Sequence, residues 1–170
     1  MDRTALFKIT YGLYVTGVKN AGGFGGCVVD AFMQTAEGAE DSPPAAALSS
    51  MRATFSNALI KESGVFTLSV LPADVDPAVI ANFGFKSARK ADKWAIADHE
   101  TRDGLPVLKC ACAALRLRVT ETKELATHSL FLCEIEDAWA GAGDPLLYAE
   151  YQRSMKPAAL AAMKRMMKNE

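Results

Sequence analysis

The chain lacks most of the features that point directly to a function. It has four cysteines, Cys27, Cys110, Cys112 and Cys133, and none of them forms a C-x-x-C pair. Zinc ribbons and thioredoxin-like redox motifs therefore find little support. Cys110 and Cys112 are two apart, so on a strand they would share a face and pack as small apolar groups. No metal site is expected. There is no basic excess either: 19 Lys+Arg stand against 20 Asp+Glu, a formal net charge of -1. A general nucleic-acid binder needs a surplus of clustered cations to meet phosphates. No apolar run reaches the length of a membrane span, and the opening "MDRTALFKIT" has no signal-peptide apolar core. The expectation is a cytoplasmic chain with reduced thiols and no membrane or nucleic-acid partner. There is no G-x-S-x-G, no Ser-His-acid set tied together by the sequence, and no G-x-G-x-x-G after a strand. "GGFGGC" has the wrong spacing for a dinucleotide fingerprint and reads as a hairpin turn. No internal repeat is visible.

What is present is apolar periodicity. Half of the 170 residues are hydrophobic, enough for a substantial core in one domain. "SGVFTLSVL" sets Phe66, Leu68 and Val70 opposite Thr67 and Ser69. "AALRLRVTET" sets Leu115, Leu117 and Val119 opposite Arg116 and Arg118. Such alternation predicts half-buried antiparallel strands. "YGLYVTGV", "GGCVVDAFMQTA", "PPAAALS", "GLPVLKCACA" and "HSLFLCEIEDAW" add strand-like runs. Helices are short and punctuated. Thr54 or Ser56 caps "NALIKES", which stops at Gly64, and Asp76-Pro77 starts a second helix with Gly84 as its stop. The Ala-, Met- and Lys-rich tail predicts a C-terminal helix. Many strands with few helices predict a mainly β barrel or sandwich with helical additions.

Two segments could hold an anion. In "SSMRATFSNALI", Arg52 precedes the hydroxyls of Thr54 and Ser56 at a helix start, where the dipole favours negative charge. In "NFGFKSARKADKW", Ser87 is a candidate N-cap and Arg89 lies two residues on, among Lys86, Lys90 and Lys93. Both segments read equally as capped helices with solvated charges. "DAFMQT", with Asp30 and Gln34 on one face, could floor a flat aromatic ligand or be an ordinary core strand. His128 opens a strand and titrates near neutrality, so it suits either a structural role or proton and hydrogen-bond donation beside a cofactor. His99 is assigned no role.

Taken in order, these pieces resemble the flavin reductase-like family with an FMN-binding split barrel, nearest its flavoredoxin and rubredoxin-fused branch. "YGLYVTGVKNAGGFGGCVVDAFMQTAEGAEDSPPAAALS" is similar to that branch's opening Y-G-L-Y, hairpin and N-G-x-x-x-N-T-x-x-Q. "FGFKSARKADKW" resembles F-G-x-x-S-G-R-x-x-D-K-F, "THSLFLCEIEDAW" resembles D-H-T-L-F-I-G-E-V, and "DPLLYAEY" resembles P-L-x-Y-x-x-Y. The likeness runs from about Ala5 to Tyr151. It implies a six-stranded Greek-key split β-barrel over 1–155 with short peripheral helices, and a C-terminal helical extension over 156–170. It implies a homodimer, non-covalent FMN near the interface, and hydride transfer from NADH or NADPH through FMN to an acceptor. Arg52, Thr54, Ser56, Ser87 and Arg89 fall where relatives bind the FMN phosphate. Asp30, Ala31, Met33 and Gln34 fall beside the ring, and His128 falls near flavin and reductant. Asp30-Ala31 replaces the usual Asn-Thr, and an ionised Asp accepts hydrogen bonds but does not donate them. Ala88 replaces a Gly. Two alternatives stay open. One is an FMN-holding electron carrier reduced by a partner such as a separate rubredoxin. The other is a barrel that has lost FMN and serves as a binding module.

Overall fold

Antiparallel pairing closes the alternating segments into a ring. The computed structural model describes residues 1–87, 89 and 92–168; Ala88 lies outside them. After a 3-10 turn at Arg3–Lys8 come β1 (Tyr14–Asn20), β2 (Gly23–Gly25), β3 (Val28–Val29), β4 (Phe32–Ala36) and β5 (Ala45–Met51). Next are α1 (Phe55–Ser63), β6 (Val65–Val70), α2 (Pro77–Phe85), β7 (His99–Arg102) and β8 (Leu105–Leu108). The chain closes with β9 (Ala113–Glu124), β10 (His128–Ala140), α3 (Tyr148–Glu150), a π-type turn Tyr151–Met155 and α4 (Lys156–Lys168). The main sheet runs β2-β1-β6-β9-β10-β5-β4, and β3 also pairs with β1. β3 and β4 are one bent strand broken at Asp30-Ala31. Its first part pairs with β1 and its second with β5, so the ring passes through six strand positions. Among the described residues no helix is long and apolar enough to cross a membrane.

The apolar faces fill two adjoining cores. Inside the ring, Val18, Leu48, Phe66, Leu68, Leu117, Phe131 and Cys133 pack with Leu59 and Ile60 of α1. At one end, Leu13, Val15, Ile80, Phe83, Trp94, Tyr151 and Ala159 join β1 to α2 and α4. The helix signals act as read. Thr54 Oγ1 accepts from the Asn57 amide at 3.2 Å, and Gly64 closes α1 with φ 67°, a left-handed conformation that glycine takes without a Cβ penalty. Asp76 Oδ1 accepts from the Ala78 amide at 2.8 Å. α2 runs through Gly84 and ends at Phe85.

Two local readings change. Thr67 and Ser69 are fully buried, because the β7–β8 hairpin covers the outer face of β6. The Thr67 hydroxyl donates to the Pro106 carbonyl, and Ser69 Oγ accepts from the Leu108 amide at 3.1 Å. A polar face can thus be buried when a second layer supplies its partners. Cys110 and Cys112 sit in the turn between β8 and β9 and not on a strand. There Cys110 is exposed and Cys112 buried.

Cys133, inside the ring, gives a pH prediction. Burial pushes its thiol up to about 12. The unfolded chain releases that proton near the ordinary value of about 8.5. Stability linked to Cys133 is therefore complete below that value and is lost as pH rises toward the folded pKa. Cys133→Ala is expected to flatten the fall in urea midpoint between about pH 9 and 11. Parallel curves for wild type and variant would refute it.

Candidate functional site

A cleft of about 460 Å³ opens where five elements meet, within the usual size of small-molecule sites. The end of β5 contributes Ser49, Ser50 and Met51, the start of α1 contributes Thr54, Phe55 and Ser56, and the run into β3 contributes Cys27 to Asp30. The end of α2 and the segment after it contribute Phe83 to Ser87, Arg89 and Lys93, and His128 stands at the start of β10. Sheet register explains the last placement: His128 pairs with Met51.

The α1 end is built for negative charge. The first-turn amides of Phe55 and Ser56 have no intrahelical acceptor, and the helix dipole is positive there. Ser56 is 2% exposed. Thr54 has its hydroxyl engaged twice, since it also donates to the Met51 carbonyl at 2.9 Å. Its contribution is to hold the helix start in place. Arg89 lies over Phe55, its guanidinium carbon 5.4 Å from the ring centroid. The Arg89 amide donates to Ser87 Oγ at 3.3 Å, which leaves the Ser87 hydroxyl hydrogen free to donate elsewhere. Ser50 Oγ is buried without a hydrogen-bond partner among the described residues, although it lines the cleft. A buried hydroxyl without a partner is costly, and a ligand with a polar edge would satisfy it.

The other residues singled out by sequence are distributed differently. Asp30 lines the cleft at the β3–β4 break, where the Phe32 amide donates to the Asp30 carbonyl at 2.9 Å. Ala31, Met33 and Gln34 follow outside the lining. Met33 is 63% exposed, and Gln34 donates to the Ala36 carbonyl at 3.1 Å. Arg52 turns away from the cleft: its Nε pairs with Glu124 at 2.9 Å and Nη1 donates to the Leu125 carbonyl at 3.2 Å. The Lys61 ammonium, bonded to Glu124 at 2.6 Å, holds that carboxyl below its usual range. His128 Nδ1 is 2.8 Å from Thr127 Oγ1.

Three further lining residues, none of them a site candidate in the sequence, bear on the chemistry. Cys27 lies against Thr16, its amide donating to Thr16 Oγ1 at 3.1 Å. Ser50 is the second. Lys93, the last cation of the basic run, is buried rather than solvated, at 3% exposure. The signal for it was the adjoining Asp92 and Trp94: Asp92 Oδ1 accepts from the Trp94 amide at 3.0 Å, and Trp94 Nε1 donates to the Gly25 carbonyl at 3.0 Å. A Cβ on Gly26 would come within 2.2 Å of the Thr16 carbonyl, so glycine is required for this close approach.

Comparison with known proteins bears on this geometry. A family model described as a flavin reductase like domain matches residues 6–157. The high molecular weight rubredoxin of Moorella thermoacetica is 33% identical over 90% of this chain, which spans 66% of that protein's length. The ferric-chelate reductase (NAD(P)H) of Archaeoglobus fulgidus is 29% identical over 92% of both chains. The styrene monooxygenase flavin reductase of Pseudomonas putida S12 superposes with a TM-score of 0.72 at 25% identity, over 87% of this chain and 93% of its own.

Proposed function

This chain belongs to the flavin reductase-like family, and on that premise we propose that it is an FMN-dependent oxidoreductase reduced by NADH or NADPH. The observation that carries the reading is the convergence of the α1 start, Ser87 and Arg89 on a cleft whose Ser50 hydroxyl lacks a partner among the described residues. When bound, FMN supplies the redox chemistry, accepting hydride from the nicotinamide and passing electrons to an acceptor. The chain's own residues bind and orient. Ser56, the amides beside it, Ser87 and Arg89 hold the phosphate, and Thr54 keeps that helix start formed. Arg52 reaches the anion only by leaving Glu124. Asp30 and Ala31 flank the ring at the strand break, and His128 orients the reductant. Met33 and Gln34 continue the strand outward, where the exposed Met33 suits a homodimer contact with FMN near the interface. Residues 1–155 form the flavin-holding unit, and 156–170 are its C-terminal extension, whose helix α4 buttresses it through Ala159, in one core cluster with Ile80 and Phe83. The protein acts in the cytoplasm.

A second reading is an FMN-holding carrier that receives electrons from a partner protein. The longer rubredoxin relative favours it, and a rubredoxin-type protein is the redox partner this reading names.

Visible titration with FMN followed by anaerobic NADH and NADPH is the test. Binding with bleaching by either nicotinamide is expected. Binding without bleaching would replace the reductase by the carrier, and no binding would remove both.

A further inference from the structure

Lys93 is buried at the cleft without a carboxylate partner among the described residues, and this inference rests on the flavin reading of that cleft. Its ammonium donates to the Gly26 carbonyl at 3.1 Å and the Phe83 carbonyl at 2.9 Å, and it lies 5.9 Å from the Phe83 ring centroid. Burial pushes the ammonium below its ordinary range, and the neighbouring Cys27 acts in the opposite direction. An ion held this way is costly unless a counter-charge arrives.

Phe83 sits in the last turn of α2. The final carbonyls of a helix lack intrahelical donors and form its negative end. That end, Phe83 to Phe85 with Lys86 after it, is one wall of the cleft. By itself it would repel an anion that the α1 start, which lines the same cleft, attracts. We infer that Lys93 is a positioning cation that reverses the sign of this wall, so that the cleft selects a phosphate-bearing flavin over an uncharged one. It acts through the two carbonyls it caps and through its field, while Arg89 and Ser87 meet the ligand. An anion in the cleft supplies the counter-charge that Lys93 lacks. The charge, more than the two hydrogen bonds, is then the reason a lysine stands here, since a neutral amide could also donate to both carbonyls.

Lys93→Gln keeps an N–H donor and removes the charge. Dissociation constants for FMN and riboflavin are read by flavin fluorescence quenching on both proteins. FMN should weaken about ten-fold or more and riboflavin less than about three-fold. Equal weakening of both flavins, or of neither, overturns the inference. A wild-type measurement stands independently of whether the variant folds. In ¹³C-lysine protein, with the Lys93 Cε signal assigned by Lys93→Arg, the Lys93 titration midpoint should rise by about one unit with FMN and stay put with riboflavin. The other titratable and charged groups of the cleft wall, Cys27, Asp30, His128, Lys86 and Arg89, are common to both titrations and cancel in their difference. No rise with FMN overturns the inference. If the wild type binds neither flavin, the flavin reading falls and this inference falls with it. If it binds FMN and the ratio does not move, only the inference falls.

Discussion

Trp94→Ala is expected to destabilise the fold by about 3–5 kcal/mol, the usual cost of emptying a large buried aromatic position. Trp94 is 1% exposed, with its ring centroid 4.8 Å from Phe83 and 5.4 Å from His99. It joins α2, the glycine-rich approach to β3, and the β7–β8 hairpin. Removing it should therefore also loosen the segment that carries Ser87, Arg89 and Lys93, so FMN affinity should fall together with the urea midpoint. Trp94→Phe separates the two contributions. It keeps most of the volume but leaves the Gly25 carbonyl without its Nε1 donor, a loss of about 1–3 kcal/mol for a buried acceptor. Trp139 is the internal comparison. It lies at the rim under Arg102, whose guanidinium carbon is 5.0 Å from its ring centroid, and Trp139→Ala should cost far less. A change below about 1 kcal/mol for Trp94→Ala would show that the cluster does not anchor the loop.

The contrast between the two tryptophans indicates what the sequence could and could not reveal. Local rules were legible. Period-two alternation marks β6 and β9, and the Thr54 and Asp76 caps operate as their positions suggest. What escaped depends on partners distant in the chain. Thr67 and Ser69 look solvent-facing until residues 105–108 fold over them. Lys93 looks like one more surface cation until Gly26 and Phe83 enclose it, and no periodicity encodes that enclosure. Within the cleft, Asp30, Thr54, Ser56, Ser87, Arg89 and His128 are brought together. Arg52 was read from its neighbours at the helix start, but its guanidinium is claimed by Glu124 from the β9–β10 hairpin. A residue's side of the chain is set by secondary structure, whereas its ionic partner is set by topology.

That distinction yields the sharpest functional prediction, because Arg89 and Arg52 were equivalent candidates in the sequence and are not in the fold. Arg89→Ala is expected to weaken FMN about 10- to 100-fold, the equivalent of one charge-assisted contact of about 1.5–3 kcal/mol. Riboflavin, which has no phosphate, should change by less than about three-fold. Arg89→Lys should recover only part of the loss, since an ammonium keeps the charge but not the bidentate fork or the stacking on Phe55. Arg52→Ala should change FMN affinity little, because the guanidinium already spends its donors on Glu124 and the Leu125 carbonyl. Isothermal titration of both flavins against the three variants reads all of this at once. If Arg52→Ala proves as costly as Arg89→Ala, Arg52 leaves Glu124 on binding, and Glu124→Gln, which frees it, should then tighten FMN. If Arg89→Ala weakens both flavins alike, Arg89 acts on the ring or on the loop's shape, and the phosphate must be held by the α1 amides and Ser56 alone.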